Sequence, residues 1–348
     1  MSNILAHKIK PSYNTNRISL GENLPLDTPL SVIMDTSERC NFRCVYCFRA
    51  GEQVRSWGYA ASNALMSWEV FERAAKQLSW FPHKIKLISL SGHGEPLCHP
   101  DLVKMAHKLN ELGVTERIEM HTNASLLTEE NAAVISKAGF SRIVVSLQGL
   151  DAATYKKVCG VKINWEQFYN NLKLLYENKD QNLKIHMKIS DMALNKEKYQ
   201  EEENKFYSLF SDIADSAFVE NAVPLWENIC IESATTKNKY GYDYSDINYC
   251  PLVFYKIVIA PNGEIYPCTR LPEPVSLGNI HDITVFDAWN SRERLDFLKE
   301  HLQYTRHNFA PCSGCFVPIN SVMSQEDIID SYKDIILQRI EKLTINER

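Results

Sequence analysis

Six short apolar runs recur between residues 30 and 220, near 30–35, 85–90, 118–121, 143–147, 185–189 and 217–220. Longer stretches of helical periodicity separate them, at 70–79, 102–112, 129–138, 165–177 and the charged 195–210. Runs of four to six residues fit strands, and connections long enough to hold a helix force a crossover and a parallel pairing. The alternation therefore predicts an α/β chain built from βαβ units.

Local signals agree with that phasing. Ser67, Thr128 and Asn164 each stand just before a periodic stretch, where a side-chain oxygen can accept from an exposed helix N–H, and Gly113 and Gly139 stand where helices should stop. Before residue 30 the chain reads as an irregular lead-in with Pro11, Gly21, Pro25 and Pro29. After 220 the pattern breaks, which predicts a boundary near 222–248. A β-hairpin is expected beyond it at 254–259 and 264–266, turned by Pro261-Asn262-Gly263 because Asn-Gly readily takes positive φ. A helix near 291–302 and a closing helix over 325–343, capped by Ser324, complete the expectation. The division that follows is 1–29 lead-in, 30–225 the βαβ units, 226–320 cysteine-bearing domain and 321–348 closing helix.

Lys plus Arg number 38 against 43 Asp plus Glu, so the chain lacks the basic excess that nucleic acid binding favours. No stretch of about 18 apolar residues occurs and the N-terminus has no apolar signal region, so a cytoplasmic location without a membrane segment is expected. Ten cysteines in a reducing compartment point to metal binding or catalysis rather than disulfides.

Seven of the ten fall into two sets. Directly after the first strand comes Cys40-Asn41-Phe42-Arg43-Cys44-Val45-Tyr46-Cys47, a C-x3-C-x2-C loop. Structural zinc takes four protein ligands, whereas a [4Fe-4S] cluster held by three cysteines keeps one iron open to a small molecule. The spacing, with Tyr46 before the last cysteine, resembles the radical S-adenosylmethionine (SAM) superfamily.

That resemblance implies a partial (βα)6 TIM-type barrel over about 30–225 and a 5'-deoxyadenosyl radical made from SAM at the cluster. It extends to Gly92-His93-Gly94-Glu95-Pro96, similar to the family's Gly-Gly-Glu-Pro element that receives the SAM amino group, with His93 as the departure. Asn123 in Thr-Asn-Ala and Ser146 on the fourth strand match further SAM-contacting positions, and all lie at strand carboxyl ends, where such folds place their sites.

The second set is Cys250, then Cys268 at the end of Gly263-Glu264-Ile265-Tyr266-Pro267-Cys268, then Cys312-Ser313-Gly314-Cys315. This arrangement resembles the twitch domain, a shortened SPASM domain made of a small β-hairpin plus helix, and implies a second [4Fe-4S] cluster fully held by protein. A four-cysteine zinc site has the same ligands.

Cys98, Cys159 and Cys230 are left over: buried apolar fillers, or thiols able to return a hydrogen atom to a substrate radical. Glu220, Glu227, Glu232 and Arg270 are candidate acid-base groups at the barrel rim, while His99 and His121 read as structural histidines. The resemblance implies hydrogen abstraction from a small polar metabolite, first of all dehydrogenation of a carbinol carbon of a sugar or aminocyclitol with the second cluster as electron acceptor. Cys230, Cys159, Glu232 and Arg270 are its candidate catalytic residues, and a flavodoxin or ferredoxin its reductant. Epimerisation with a cysteine donor and peptide modification are alternatives, and a zinc-binding or electron-transfer module is the non-enzymatic one.

Overall fold

The computed structural model describes residues 17–50, 63–225, 231, 237–244 and 247–346. Strands β1 (Ser31–Met34), β2 (Leu87–Ser89), β3 (Ile118–Thr122), β4 (Arg142–Leu147), β5 (Lys184–Ser190) and β6 (Ser216–Glu220) form in chain order. Each pairs in parallel with the one before it. The crossovers are α1 (Trp68–Gln77), α2 (Leu102–Leu112), α3 (Glu129–Ser136), α4 (Ala152–Cys159) with α5 (Trp165–Glu177), and α6 (Tyr199–Phe210). The result is an open, partial TIM-type barrel.

The expected caps form. Ser67 accepts from the Val70 amide, Asn164 from that of Gln167, and Thr128 and Asn131 cap one another reciprocally. Gly113 closes α2 at φ +62°, a left-handed geometry with little penalty for glycine. Helix α4 was not expected: it is one short run with Thr154 and Tyr155 in its middle, but Asp151 accepts from the Thr154 amide and starts it.

Strand alternation divides the side chains by chemistry. Ile143, Val145, Leu147, Ile185, Met187, Ile189, Ala217 and Val219 point under the helices into the main core. Most of the intervening positions, Glu119, His121, Arg142, Ser146, His186, Lys188, Ser190, Ser216 and Glu220, are polar, and they share the opposite face with Val144 and Phe218. The inner surface of this barrel thus sets charged and polar groups among a few apolar ones.

The hairpin exists, as β7 (Lys256–Ile259) and β8 (Ile265–Tyr266), with Phe254 in a short helical turn ahead of it. It does not stand apart from the barrel, however: β7 pairs in parallel with β1, and the sheet runs β6-β5-β4-β3-β2-β1-β7-β8. The lead-in is not separate either. Leu20 and Leu24 share a second core with Phe254, Leu298, Leu302, Ile329, Ile336 and Ile340, and Arg339 donates to the carbonyls of Glu22 and Leu24.

The closing helix spans Lys333–Asn346, shorter than expected, after two 3-10 turns. Ser324 caps no helix; its hydroxyl bonds the Glu326 carboxylate instead. The chain is extended at Ile328, which lets Ile329 enter the second core and the Asp330 carboxylate accept from the Asn248 amide.

Candidate cofactor and active site

A cavity of about 290 Å³ opens at the carboxyl ends of the strands. Cys40, Cys44, Tyr46, Cys47, Gly92, Gly94, Glu95, Asn123 and Ser146 all line it, with Lys188, Glu220 and Lys239 also in its wall. Residues more than a hundred apart in sequence meet there because each follows, or ends, its own strand.

The cysteine loop hangs on the end of α4. The Arg43 amide donates to Cys159 O (3.1 Å) and that of Val45 to Val158 O (2.9 Å), while the Arg43 guanidinium closes the loop on Cys40 O and Phe42 O. Tyr46 bonds Gln148, whose amide donates to Ser146 O, so the aromatic before the last cysteine is tied to the fourth strand. Burial raises the Cys40 thiol, lifts Cys47 to about 11 and pushes Cys44 higher still, with charge from neighbouring thiolates adding to it. Thiols held this way favour thiolates only once a cation balances them.

Glu95 is buried, and its oxygens accept from the Asn123 amide (2.7 Å), the Thr122 hydroxyl (2.5 Å) and the Leu97 amide (3.1 Å). Desolvation outweighs those donors and raises its pKa to about 7. It is a fixed carboxylate facing the cavity, short of a cation. Gly94 brings this loop against the one after β1: a Cβ there would lie 2.3 Å from Ser37 O and 2.4 Å from Arg39 O. The Glu95 amide donates to Arg39 O at 2.7 Å. Pro96 does not line the cavity and instead starts the buried 3-10 turn behind it.

His93 has its own structural task. Its Nδ1 lies 2.6 Å from Asp35 Oδ2, its Nε2 lies 3.1 Å from Thr269 O, and its ring meets Phe48 edge to face. It therefore joins the end of β1, the segment after Cys47 and the segment after Cys268.

Cys250, Cys268, Cys312 and Cys315 line one pocket together with Lys256, Arg270 and Arg306. Burial, then the charge of the other thiolates, pushes Cys250 well up, and Cys268 rises to about 11. Arg306 bonds Ile247 O and Cys315 O, and the Cys250 amide donates to neutral His301, whose pKa burial lowers to about 4. Four thiols ringed by cations suit a net anionic iron-sulfur cluster. Among the described residues no three His, Cys, Asp or Glu close on a single metal ion. A four-iron cube takes each thiolate on a separate iron, so its ligands stand farther apart than those of a mononuclear zinc at about 2.3 Å.

Other expectations need correction. Cys159 does not reach the cavity; it is buried in the main core and its thiol donates to Tyr155 O. Arg270 is no rim acid-base group, for it bonds Pro272 O beside the second cysteine set. Cys98 stays off the cavity wall, beside Glu95. His99 is satisfied by Met66 O and the Asp101 amide, while His121 lines the cavity and pairs with Glu119 at 2.8 Å. Cys230, Glu227 and Glu232 lie outside the described residues. Sequence reasoning missed Asp35, Gln148, Lys188 and Lys239, none of which sits in a recognisable motif.

The radical SAM superfamily model matches residues 34–202, and an iron-sulfur cluster-binding (SPASM) domain matches 250–316. Among curated proteins, GTP 3',8-cyclases of Microcystis aeruginosa and Cyanothece sp. are 32% identical over 123 residues and 33% identical over 141. Those matches cover 35% and 40% of this chain, and the chain spans only 36% and 41% of those relatives.

Among solved structures, BtrN in complex with AdoMet and 2-DOIA aligns at TM-score 0.53 and 18% identity over 86% of this chain and 97% of that one. Streptococcus suis SuiB bound to S-adenosylmethionine aligns at 0.59 and 17%, covering 90% and 79%. The anSMEcpe structure with bound AdoMet aligns at 0.56 and 18%, covering 92% and 100%.

The chain belongs to the radical SAM superfamily and carries a C-terminal SPASM-type domain. Its cofactors are accordingly SAM, a [4Fe-4S] cluster and auxiliary iron-sulfur. No helix among the described residues is long and apolar enough to cross a membrane.

Proposed function

We propose that this chain abstracts a hydrogen atom from a carbinol carbon of a small polar substrate and releases a ketone. The observation that carries the reading is the second cysteine set: four thiols converge there, so a cluster would be fully held by protein and would serve as an electron acceptor rather than a substrate ligand. When bound, the cluster at Cys40, Cys44 and Cys47 with SAM supplies a 5'-deoxyadenosyl radical.

The chain's own residues do the rest. Glu95, fixed by Thr122 and Asn123, would hold the SAM ammonium, and Ser146 would orient the ribose. Gly92 and Gly94 let the loop approach closely. Once the carbinol carbon has lost a hydrogen atom, the ketone requires loss of one more electron, which a cluster held by Cys250, Cys268, Cys312 and Cys315 would accept, and of the hydroxyl proton, to water or a basic wall group. The polar groups in the cavity wall, among them His121, Lys188, Ser190 and Glu220, support a hydroxylated substrate. Neighbours of this fold bind either a small molecule, as the 2-DOIA complex does, or a precursor peptide, as SuiB with SuiA does. A flavodoxin or ferredoxin is the proposed electron donor to the first cluster.

The test is anaerobic turnover of candidate polyols deuterated at the carbinol carbon, in D2O and in H2O. Deuterium transferred into 5'-deoxyadenosine with a product two hydrogens lighter is the expected result. A product of unchanged mass that takes deuterium from solvent would make the enzyme an epimerase, and cleavage of SAM that survives alanine at Cys40, Cys44 and Cys47 would end the radical reading.

A further inference from the structure

The cavity wall opposite the cysteine loop carries a charge arrangement that cofactor binding does not use. Lys188 at the carboxyl half of β5 and Lys239, from the segment after the barrel, both reach the Glu220 carboxylate at the end of β6, at 3.0 and 3.2 Å. All three line the cavity and are mostly buried. Glu220 is the one carboxylate among the described residues within 4 Å of either ammonium. Of the other charged groups on this face, Glu119 pairs with His121 and neighbours Arg142 in the β3–β4 register, and His186 is bonded to Ser216 and held neutral by burial.

The lysines are not loose surface groups that drift to a carboxylate. Lys188 is fixed by strand pairing on both sides. The backbone around Lys239 is laced twice, its carbonyl accepting from the Asn221 amide and its amide donating to Asn320 O, while Asn320 bonds Pro224 O. Among the described residues, two anchored ammoniums therefore share one carboxylate in a partly desolvated wall, an excess of one positive charge. Burial and the second ammonium bring Lys188 down to about 8, as expected when one anion must serve two cations.

We propose that Lys188 and Lys239 recognise an anionic group, a carboxylate or a phosphate, on the substrate. This rests on the hydrogen-abstraction reading and narrows its substrate class. A buried cationic wall rejects the amines of an aminocyclitol by like-charge repulsion and selects a sugar acid, a sugar phosphate or another small hydroxy acid. Glu220 then acts as the positioning residue that keeps the two ammoniums together until the substrate arrives.

The experiment is affinity selection on the anaerobically reconstituted full chain, with a defined mixture of D-glucuronate, D-glucose 6-phosphate, D-glucose and D-glucosamine read by mass spectrometry. Wild type should retain one or both anions over the neutral and cationic sugars, and Lys188→Met and Lys239→Met should each lose about tenfold or more of that retention. The separate acid and phosphate arms say which anion is meant. Glu220→Gln should move the other way, tightening anion retention about tenfold because the anion then takes the place of the Glu220 counter-charge. A collapsed variant cannot imitate that gain.

Equal retention of glucose or glucosamine, or no anion held above the Lys188→Met level, overturns the proposal. So does a fall of SAM affinity in both lysine variants with anion retention unchanged, which would give the ammoniums to the cofactor. Binding is read without turnover, so charge-selective retention by a chain that never oxidises a carbinol would refute the reaction and leave this inference standing.

Discussion

Replacing His93 by alanine probes the one position where the SAM-binding loop departs from its family's pattern. The change removes the 2.6 Å bond to Asp35, the 3.1 Å bond to Thr269 O and the edge contact with Phe48. Asp35 is fully buried, and the 3.1 Å bond from the His93 amide to the same oxygen is retained. Breaking a buried, charge-assisted pair from one side costs about 3 kcal/mol. Unfolding entropy near ~2.1 cal/mol/K per residue over 348 residues makes that about 4 °C in Tm.

The loss also has a pH signature. Burial works to lower the His93 pKa, but the Asp35 charge and hydrogen bond and the Thr269 carbonyl outweigh it, so the folded value lies above the ordinary 6.5. A raised histidine contributes fully below its unfolded pKa, and that contribution drains as pH rises through the folded value. Calorimetry of anaerobic protein at pH 6, 7, 8 and 9 should therefore show the widest gap between wild type and His93→Ala at pH 6, narrowing upward. A gap under about 1 °C at pH 6, or one that widens with pH, would refute the assignment of an ion-paired His93 bridge.

Gly94→Ala should cut SAM affinity at least about tenfold by equilibrium dialysis, because the new methyl meets rigid backbone at 2.3 and 2.4 Å and no flexible side chain can yield; unchanged affinity would mean the loop is looser than described. SAM binding to wild type should weaken about tenfold per pH unit below about 7, where Glu95 takes up a proton and can no longer hold an ammonium, and a flat profile from pH 8 to 6 would remove Glu95 from that role. Cys268→Ala should lower iron from about eight to about four atoms per chain while the first cluster keeps its SAM-dependent paramagnetic signal. Cys159→Ala should cost about 1 kcal/mol of stability and leave the isotope pattern of the product unaltered, since its thiol points into the core.

Much of this architecture is legible in the sequence because its determinants are local. Ser67, Thr128 and Asn164 cap the helices they precede, and polar groups after successive strands converge because parallel strands all end on one side. What escaped depends on distant partners. Pairing of β7 with β1 joins residues more than two hundred apart, and nothing in 256–259 announces it. The closing helix begins late because Asp330 answers the Asn248 amide, a tertiary bond that overrides helical periodicity. Lys188 and Lys239 read as ordinary surface charge until the strand register and the Asn320 lacing bring them to one carboxylate. His99 and Cys159 matched the bland reading of a buried, hydrogen-bonded side chain.

The hairpin's place in the sheet bears on how electrons move. Because β7 is hydrogen-bonded to β1, and β1 leads into the Cys40 loop while β8 leads into Cys268, the span between the two cysteine sets is set by backbone register, with His93 as a second rivet. Electron tunnelling falls off steeply with distance, so clusters held at a span fixed this way would exchange electrons at a rate set by the fold rather than by domain docking. It also means the two redox centres cannot be cut apart as modules: a truncation before residue 256 would strip β1 of one neighbour and loosen the strand that delivers the first cysteine.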